Sequence, residues 1–224
     1  MNIIILIIAS SNHDKYIHME EIWRKYMNIH PNIKTFFIKN DPSINEDIVL
    51  KEEENTIYCK ENETYIPGIT NKTILAIDYC LQKYDFDYIF RTNLSSCLYL
   101  SHFYDYCLNN SVDYAGFIGN YENIYFASGC GFLLSKTACH YLPTNQEQLL
   151  KNHYLDDVCI GKILAPVFGI YNMNRCDINI DNRDDNSNYI IKDNLFHYRC
   201  KSDKDHWYTI PIMNKLYDII YNTY

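Results

Sequence analysis

The sequence predicts an α/β domain with a mostly parallel central sheet flanked by helices. Residues 2–9 form an isoleucine-rich run without polar interruption, as expected of a strand that is buried on both faces. Residues 16–26 then show helical spacing of apolar side chains, and a second strand is expected at 34–38. A strand, a helix and a further strand in this order form the right-handed crossover unit from which parallel sheets are built.

The rest of the chain continues this alternation. Residues 41–54 are polar and acidic and are expected to form a surface loop before a short strand at 56–59. Residues 71–84 have the spacing of an amphipathic helix that leads into an aromatic strand at 88–90. The remaining expected elements are strands at 114–118 and 124–126, a tight turn at 128–131, helices at 136–142 and 155–164, and a flexible segment rich in Asn and Asp at 172–194.

The composition is that of a globular protein and argues against two classes of function. The 224 residues are 47% hydrophobic and 21% charged, enough for one domain with a substantial core. Twenty basic against 28 acidic side chains give a net charge of −8, so general binding of nucleic acid is not expected. The apolar run 3–9 is far shorter than the roughly 20 residues that cross a bilayer, and it has no basic flank. We therefore expect a soluble protein with no membrane span.

The cysteines indicate a reducing compartment. Nine are present, and none forms a C-x-x-C pair. An odd number without paired spacing suggests neither zinc nor a disulfide framework. Most lie in apolar runs, where reduced cysteine packs as a small hydrophobe, so we expect buried thiols and a cytoplasmic location.

Two loops are the first places to expect a ligand. Residues 91–96 leave the carboxyl end of the strand at 88–90, and residues 10–12 follow the first strand. Ligands bind open α/β sheets outside the carboxyl ends of the strands. Both loops are therefore expected at one edge of the sheet.

Five short motifs follow one another along the chain. Residues 63–65 read Glu-x-Tyr, residues 72–73 read Lys-Thr, and the loop 91–96 comes next. Residues 125–135 then contain Ser-Gly-Cys-Gly, and residues 156–161 read Asp-Asp-Val-x-Ile-Gly. This ordered set resembles the D-x-Y, K-T, D-D-D, Y-x-S-G-x-G-Y-x-x-S and E-D-V-x-x-G motifs of the β-1,3-galactosyltransferase and Fringe family of GT-A glycosyltransferases. The last two motifs are the most specific, and the resemblance extends over about residues 1–165.

The resemblance implies a single Rossmann-like GT-A domain over 1–224, with a nucleotide-sugar half at 1–100 and an acceptor half with a C-terminal segment at 101–224. It also implies transfer of a sugar from a nucleotide sugar, by family preference a UDP-sugar, to a hydroxyl of a glycan acceptor, with inversion at the anomeric carbon. Richness in Ile, Asn and Tyr is typical of an AT-rich genome, and a member of this family from a large DNA virus would fit. The residues expected to bind the donor are Ser10, Ser11, Lys72, Arg91, Thr92, Asn93, Ser95, His197, Arg199 and Lys201.

The sequence departs from the family at the metal site. The acidic triplet falls on residues 93–95, Asn-Leu-Ser, which contain no carboxylate. Mn²⁺ or Mg²⁺ held against a diphosphate requires at least one hard anionic ligand. We therefore expect no tightly bound cofactor, and a divalent ion would depend on Asn93, Ser95 and His197. A D-x-D sequence at 85–87 precedes its strand and is expected at the opposite edge of the sheet.

Cationic side chains can replace a metal at a diphosphate. His197, Arg199 and Lys201 alternate, so they share one face if their segment is extended. We expect Arg199 and Lys201, with Arg91, to bind the diphosphate and His197 to donate a hydrogen bond to it. The alternative is an ordinary solvated strand near the C-terminus.

The resemblance assigns catalysis to two adjacent carboxylates. Asp157 matches the aspartate of the E-D-V motif and is expected to be the base, with Asp156 as its partner. Adjacent carboxylates at the start of a helix also cap it and interact with its dipole, so this structural role stays open. Ser128, Gly129 and Gly131 are expected to contact the sugar, since glycine permits close approach to the backbone, and a plain turn is the alternative.

Two other functions remain in view. One is a GT-A domain that binds nucleotide sugars or glycans without catalysis, having lost the acidic triplet. The other is a different α/β enzyme such as a nucleotidyltransferase, which requires paired metal carboxylates after a strand. The sequence offers no such pair there, and the aspartates at positions 177, 181, 184 and 185 lack calcium-loop spacing and stay unassigned.

Overall fold

The computed structural model describes residues 1–151, 154–179, 191, 195–202 and 205–222. The strands in this part of the chain are β1 (Ile3–Ile8), β2 (Ile33–Asn40), β3 (Ile48–Lys51), β4 (Thr56–Cys59), β5 (Tyr88–Asn93), β6 (Ser96–Leu98), β7 (Tyr114–Tyr121), β8 (Ile124–Ser135), β9 (Tyr171–Asn172), β10 (Cys176–Asn179) and β11 (His197–Lys201). The α-helices are α1 (Asp14–Arg24), α2 (Gly68–Lys83), α3 (Leu100–Asn109), α4 (Lys136–Thr144), α5 (Gln146–Leu150), α6 (Asp156–Phe168) and α7 (Thr209–Tyr221).

The central sheet has eight strands in the order β3-β4-β2-β1-β5-β8-β7-β9. Its middle strands β4, β2, β1 and β5 are parallel to one another, and β8 pairs antiparallel with both β5 and β7. The predicted fold class, a mixed α/β domain around a largely parallel sheet, is confirmed. A smaller sheet, β10-β11-β6, attaches the C-terminal part of the chain beside β5.

Side chains of β1 alternate between two apolar cores, one on each face of the sheet. Ile3, Ile5 and Ile7 pack in the core that contains residues of α1 and α7. Ile4 and Leu6 pack in the core that contains residues of α2, α4 and α6. Burial on both faces explains why β1 has no polar residue. Because β1 pairs with β2 on one side and β5 on the other, its carboxyl end lies between these two strands.

The expected tight turn at 128–131 is wrong, because these residues lie inside β8. The pairing of β8 with β7 is irregular there: Gly116 pairs with Phe132, whereas Ile118, two residues on, pairs with Ala127. The segment is therefore a bulge, and glycine signals a bulge as readily as a turn. One of its glycines permits close packing, since a Cβ atom on Gly131 would lie 2.4 Å from His197 Cε1.

Other segments differ in extent from the prediction. The expected loop 41–54 contains β3 and a 3₁₀ helix at Glu52–Glu54, and the first three residues of the expected loop 91–96 belong to β5. In the Asn- and Asp-rich stretch, residues up to 179 contribute to β9 and β10, and 180–190 and 192–194 lie outside the described residues. Eight of the nine cysteines are buried, as expected. None of the helices that the structure describes is long and apolar enough to cross a membrane.

Candidate active site

A cavity of about 510 Å³ opens at the carboxyl ends of β1 and β5. These strands are neighbours, and Ile8 at the end of β1 pairs with Asn93 at the end of β5. Five of the expected donor-binding residues line this cavity: Ser10, Lys72, Asn93, Ser95 and Arg199. Crossover topology explains the convergence of Ser10, Asn93 and Ser95, since parallel strands end at the same edge of the sheet. The other two come from α2 and from β11 of the smaller sheet.

Lys72 provides a fixed positive charge in the cavity wall. Its side chain is fully buried, and Nζ donates to Glu63 Oε1 at 2.7 Å and to the Ala9 carbonyl at 2.9 Å. Burial lowers the pKa of Lys72, and the Glu63 carboxylate opposes that shift. The positive charge of Lys72 is thus held in the cavity wall beside Glu63, which also lines the cavity.

Arg199 is the more accessible cation. It projects from β11, with 27% of its side chain exposed, and Nη1 lies 3.9 Å from Asp177 Oδ2. Because this pair is long, the guanidinium keeps hydrogen-bonding capacity towards the cavity. Lys201, two residues further along β11, is half-buried and does not line the cavity. Ser11 is exposed and does not line it either.

Three aromatic side chains that the sequence did not single out as site residues also line the cavity: Tyr16, Tyr65 and His206. His206 begins the 3₁₀ helix His206–Tyr208, which Asp205 caps through the Trp207 N–H. Burial lowers the pKa of His206, and the charge of Lys15 lowers it further. Tyr65 belongs to the Glu-x-Tyr motif at 63–65, whereas no motif marks Tyr16 or His206, whose rings meet where α7 packs against α1.

Beside the cavity, Arg91, Gly129, Asp156 and Asp157 meet in what we call the carboxylate junction. The two aspartates begin α6, where the helix dipole favours negative charge. Arg91 Nη2 donates to Asp156 Oδ2, and Asp157 Oδ2 accepts a 2.7 Å hydrogen bond from the Gly129 N–H. Burial raises the pKa of Asp156, Arg91 opposes that shift, and Asp157 adds to it.

The cavity and the carboxylate junction are in contact. Arg91 Nη1 donates to Asn93 Oδ1 at 3.2 Å and to the Gly129 carbonyl, so one guanidinium joins the cavity wall to the bulge of β8. The pKa of Tyr65 is raised by partial burial and then by the charges of Asp156 and Asp157. A ligand in the cavity therefore lies next to two carboxylates.

Two expected donor-binding residues lie behind the cavity wall and support the bulge. Thr92 is fully buried, and its Oγ1 donates to the Cys130 carbonyl at 2.7 Å. His197 is also fully buried, with Nε2 3.1 Å from the Ser96 hydroxyl. Burial lowers the pKa of His197 to about 3, with a further contribution from the charge of Arg175, so the imidazole is neutral. Neither residue lines the cavity.

Arg175 is a further residue that sequence reasoning missed. It is 4% exposed and donates to the Ser128 hydroxyl at 3.1 Å and to both carboxylate oxygens of Asp177. Asp177 in turn lies near Arg199, so this chain of contacts connects the bulge to the cavity. Arg175 stands in the Asn- and Asp-rich stretch, where composition predicted only flexibility.

The residues at the triplet position do not fit a divalent metal. Asn93 Oδ1 already accepts from Arg91, and the Leu94 carbonyl accepts a 2.9 Å hydrogen bond from Trp23 Nε1–H. Among the described residues, no group of three or more His, Cys, Asp or Glu side chains is arranged to hold a metal. Asp85 and Asp87 lie before β5, at the far edge of the sheet, where they pair with Lys136 and the Asn2 N–H.

Comparison with known proteins identifies the fold. No protein-family model matches the sequence, and no curated protein matches it significantly. A solved glycosyltransferase involved in the glycosylation of the major capsid of PBCV-1 is similar with a TM-score of 0.58, over 96% of this chain and 100% of that chain, at 9% identity. The galactosyltransferase LgtC, solved with donor and acceptor sugar analogues, has a TM-score of 0.51 over 96% of this chain and 95% of its own, at 11% identity.

The chain therefore has the GT-A fold of glycosyltransferases, as predicted. Similarity at this level of identity defines the architecture and not the reaction. The narrower resemblance to the β-1,3-galactosyltransferase and Fringe family stays a prediction.

Proposed function

We propose that this protein is a glycosyltransferase that moves a sugar from a nucleotide sugar, a UDP-sugar by the preference of the family that it resembles, to a hydroxyl of a glycan. The observation that carries the proposal is the placement of the carboxylate junction directly beside the cavity at the ends of β1 and β5. A transferase needs a pocket for the donor and a base next to the reacting carbon. On a GT-A fold, that pairing favours sugar transfer over other nucleotide chemistry.

The donor diphosphate is bound in this proposal by fixed cations and not by a divalent metal. Arg199 offers its guanidinium to phosphate oxygens, and Lys72 adds a buried positive charge beneath Glu63. The hydrogen bonds already made by Asn93 and Leu94 support this part of the proposal. Ser10 and the residues after β1 contact the nucleoside.

The reaction is a one-step displacement with inversion. The acceptor oxygen attacks the anomeric carbon as the bond between that carbon and the phosphate oxygen breaks, and the nucleoside diphosphate leaves with the electron pair. The acceptor proton passes to Asp157, whose carboxylate is oriented by the Gly129 N–H. Ser128, Gly129 and Gly131, in the bulge of β8, border the sugar and its acceptor.

A second candidate is a domain that binds nucleotide sugars or glycans without turnover. Its supporting observation is that Asn93 Oδ1 and the Leu94 carbonyl, at the triplet position, already accept hydrogen bonds from other protein groups. Under this alternative the cavity binds UDP, and no sugar is transferred or hydrolysed.

Calorimetric titration with UDP and a panel of UDP-sugars, each with Mn²⁺ and with EDTA, tests the proposal. We expect binding that survives EDTA and falls about tenfold in Arg199→Ala, the loss of one charge-assisted contact. Release of UDP from one of the sugars on addition of a glycan acceptor separates the enzyme from the binding domain. Strict dependence on Mn²⁺ contradicts the cationic site, and absence of nucleotide binding in both conditions contradicts the glycosyltransferase.

A further inference from the structure

The Gly129 peptide joins the two charged partners of the carboxylate junction. Its N–H donates to Asp157 Oδ2 at 2.7 Å, and its carbonyl accepts from Arg91 Nη1. Arg91 Nη2 at the same time binds Asp156 Oδ2. Arg91 and the Gly129 peptide therefore each hold one oxygen of a carboxylate, and Asp157 Oδ1 also accepts a 3.0 Å hydrogen bond from the Val158 N–H.

A side chain at position 129 would be tightly packed and would require its neighbours to shift. A Cβ atom on Gly129 would lie 3.0 Å from Arg91 Nη1, 3.1 Å from Asp157 Oδ2 and 3.2 Å from Asp157 Cβ. Because Gly129 has no side chain, Arg91 of β5 and Asp157 of α6 can both reach its peptide groups. Glycine in a strand often marks such a close approach.

Arg91 is directed at protein groups and not at the cavity. It is 2% exposed, its Nη atoms donate to Gly129, Asn93 and Asp156, and its guanidinium lies 5.5 Å from the Phe132 ring centroid. Arg199, in comparison, lines the cavity and is 27% exposed. The two arginines are therefore suited to different tasks.

We infer that Arg91 is a positioning residue that pairs with Asp156 and, through the Gly129 peptide, orients Asp157 towards the acceptor. The inference rests on the proposed function and reassigns Arg91 from donor binding to the alignment of the base. Arg199 keeps the role of diphosphate ligand.

The charge of Arg91 is needed because two carboxylates stand side by side in a buried place. Burial and the neighbouring Asp157 both favour protonation of Asp156, and Arg91 opposes them. Without the guanidinium, we expect the pKa of Asp156 to rise further and the Gly129 peptide to lose the partner of its carbonyl.

The first test separates binding from turnover. In Arg91→Met we expect the UDP affinity to stay within about threefold, because Arg91 does not reach the donor, while turnover of the preferred UDP-sugar falls about a hundredfold through misplacement of the base. The matched variant Arg199→Met should lose about tenfold in UDP affinity. A tenfold loss of UDP affinity in Arg91→Met would make it a diphosphate ligand and overturn the inference.

Two further variants distinguish misplacement of the base from a loss of turnover caused by misfolding. Arg91→Lys retains the charge without the planar guanidinium that binds Asp156 and the Gly129 carbonyl through different nitrogens, and it should keep more turnover than Arg91→Met. Gly129→Ala leaves every charge in place and should lower turnover at least tenfold with UDP affinity unchanged. Full turnover in a folded Gly129→Ala protein contradicts the role of the peptide.

A readout without substrate keeps the inference distinct from the proposed function. NMR titration of the aspartate carboxyl carbons should show the pKa of Asp156 about one unit or more higher in Arg91→Met than in the parent protein. An unchanged titration overturns the inference even if the protein transfers sugar. Absence of UDP binding in the parent protein counts against the glycosyltransferase, whatever the titration shows.

Discussion

Arg199 lines an open cavity. Arg91 is less accessible, and protein groups of the neighbouring carboxylate junction bind it on several sides. Both arginines are cations at the carboxyl edge of one sheet, and sequence reasoning expected the same task of both. Their surroundings differ in burial and in the number of protein partners. The comparison teaches that a cation near a candidate donor site contacts the ligand only if its hydrogen bonds are not already taken by the protein.

The largest effect should come from the base at the carboxylate junction. Asp157→Asn removes the proton acceptor but keeps the hydrogen bond from Gly129, so turnover should fall about 10²- to 10⁴-fold. The UDP affinity should not change, since Asp157 does not line the cavity. Rates of UDP release and calorimetry measure the two effects.

The control for this variant is Asp85→Asn, at the far edge of the sheet, where the side chain is 91% exposed. It should leave both quantities unchanged. If Asp157→Asn retains turnover, Asp157 is not the base, and catalysis does not belong to the carboxylate junction.

The next prediction concerns His197, the buried histidine behind the cavity wall, and its effect on the pH dependence of stability. His197 binds a proton with a pKa of about 3 when folded and about 6.5 when unfolded, because burial disfavours its charge. The unfolded chain therefore binds more protons between these values, and His197 lowers the free energy of unfolding as the pH falls below about 6.5. The slope approaches about 1.4 kcal/mol per pH unit well below that value.

His197→Gln should flatten this slope between pH 6.5 and 4.5, as measured by denaturant unfolding at several pH values. The matched control is His140→Gln, since His140 is exposed on α4. An equal slope in the parent protein and His197→Gln would mean that His197 is not buried as a neutral ring.

On the cavity side, Lys72 should matter for stability as well as for binding. Lys72→Met leaves the Glu63 carboxylate and the Ala9 carbonyl without their partner, and we expect a loss of about 2 kcal/mol in the free energy of unfolding. Adding Glu63→Gln should recover part of this loss, because the unpaired charge is removed. Denaturant unfolding of the single and double variants measures the coupling, and additive losses would contradict the buried pair.

The sequence predicted the sheet well because β1, β2 and α2 carry strong apolar patterns. It did not predict α3 or α7. These two helices are rich in aromatic and β-branched residues, which have low helix propensity. It could not predict that Arg175 meets Ser128, because that contact joins residues 47 positions apart through a stretch without periodicity. Motif order located the two aspartates, but the partners of Arg91 depend on the bulge, which resembled a turn.

The last prediction concerns the turn at residues 94–95, directly after β5. Trp23 is fully buried, and its Nε1–H donates to the Leu94 carbonyl at 2.9 Å, between Asn93 and Ser95 of the cavity wall. Trp23→Phe removes this donor and part of the ring, so the free energy of unfolding should fall by about 1–3 kcal/mol. The lost hydrogen bond supports the cavity wall and not the carboxylate junction. We therefore expect UDP affinity to weaken and the NMR titration of Asp156 to stay unchanged. A shifted Asp156 titration in this variant would show that the cavity wall and the carboxylate junction move as one unit, and the division between binding and positioning would then have to be drawn elsewhere.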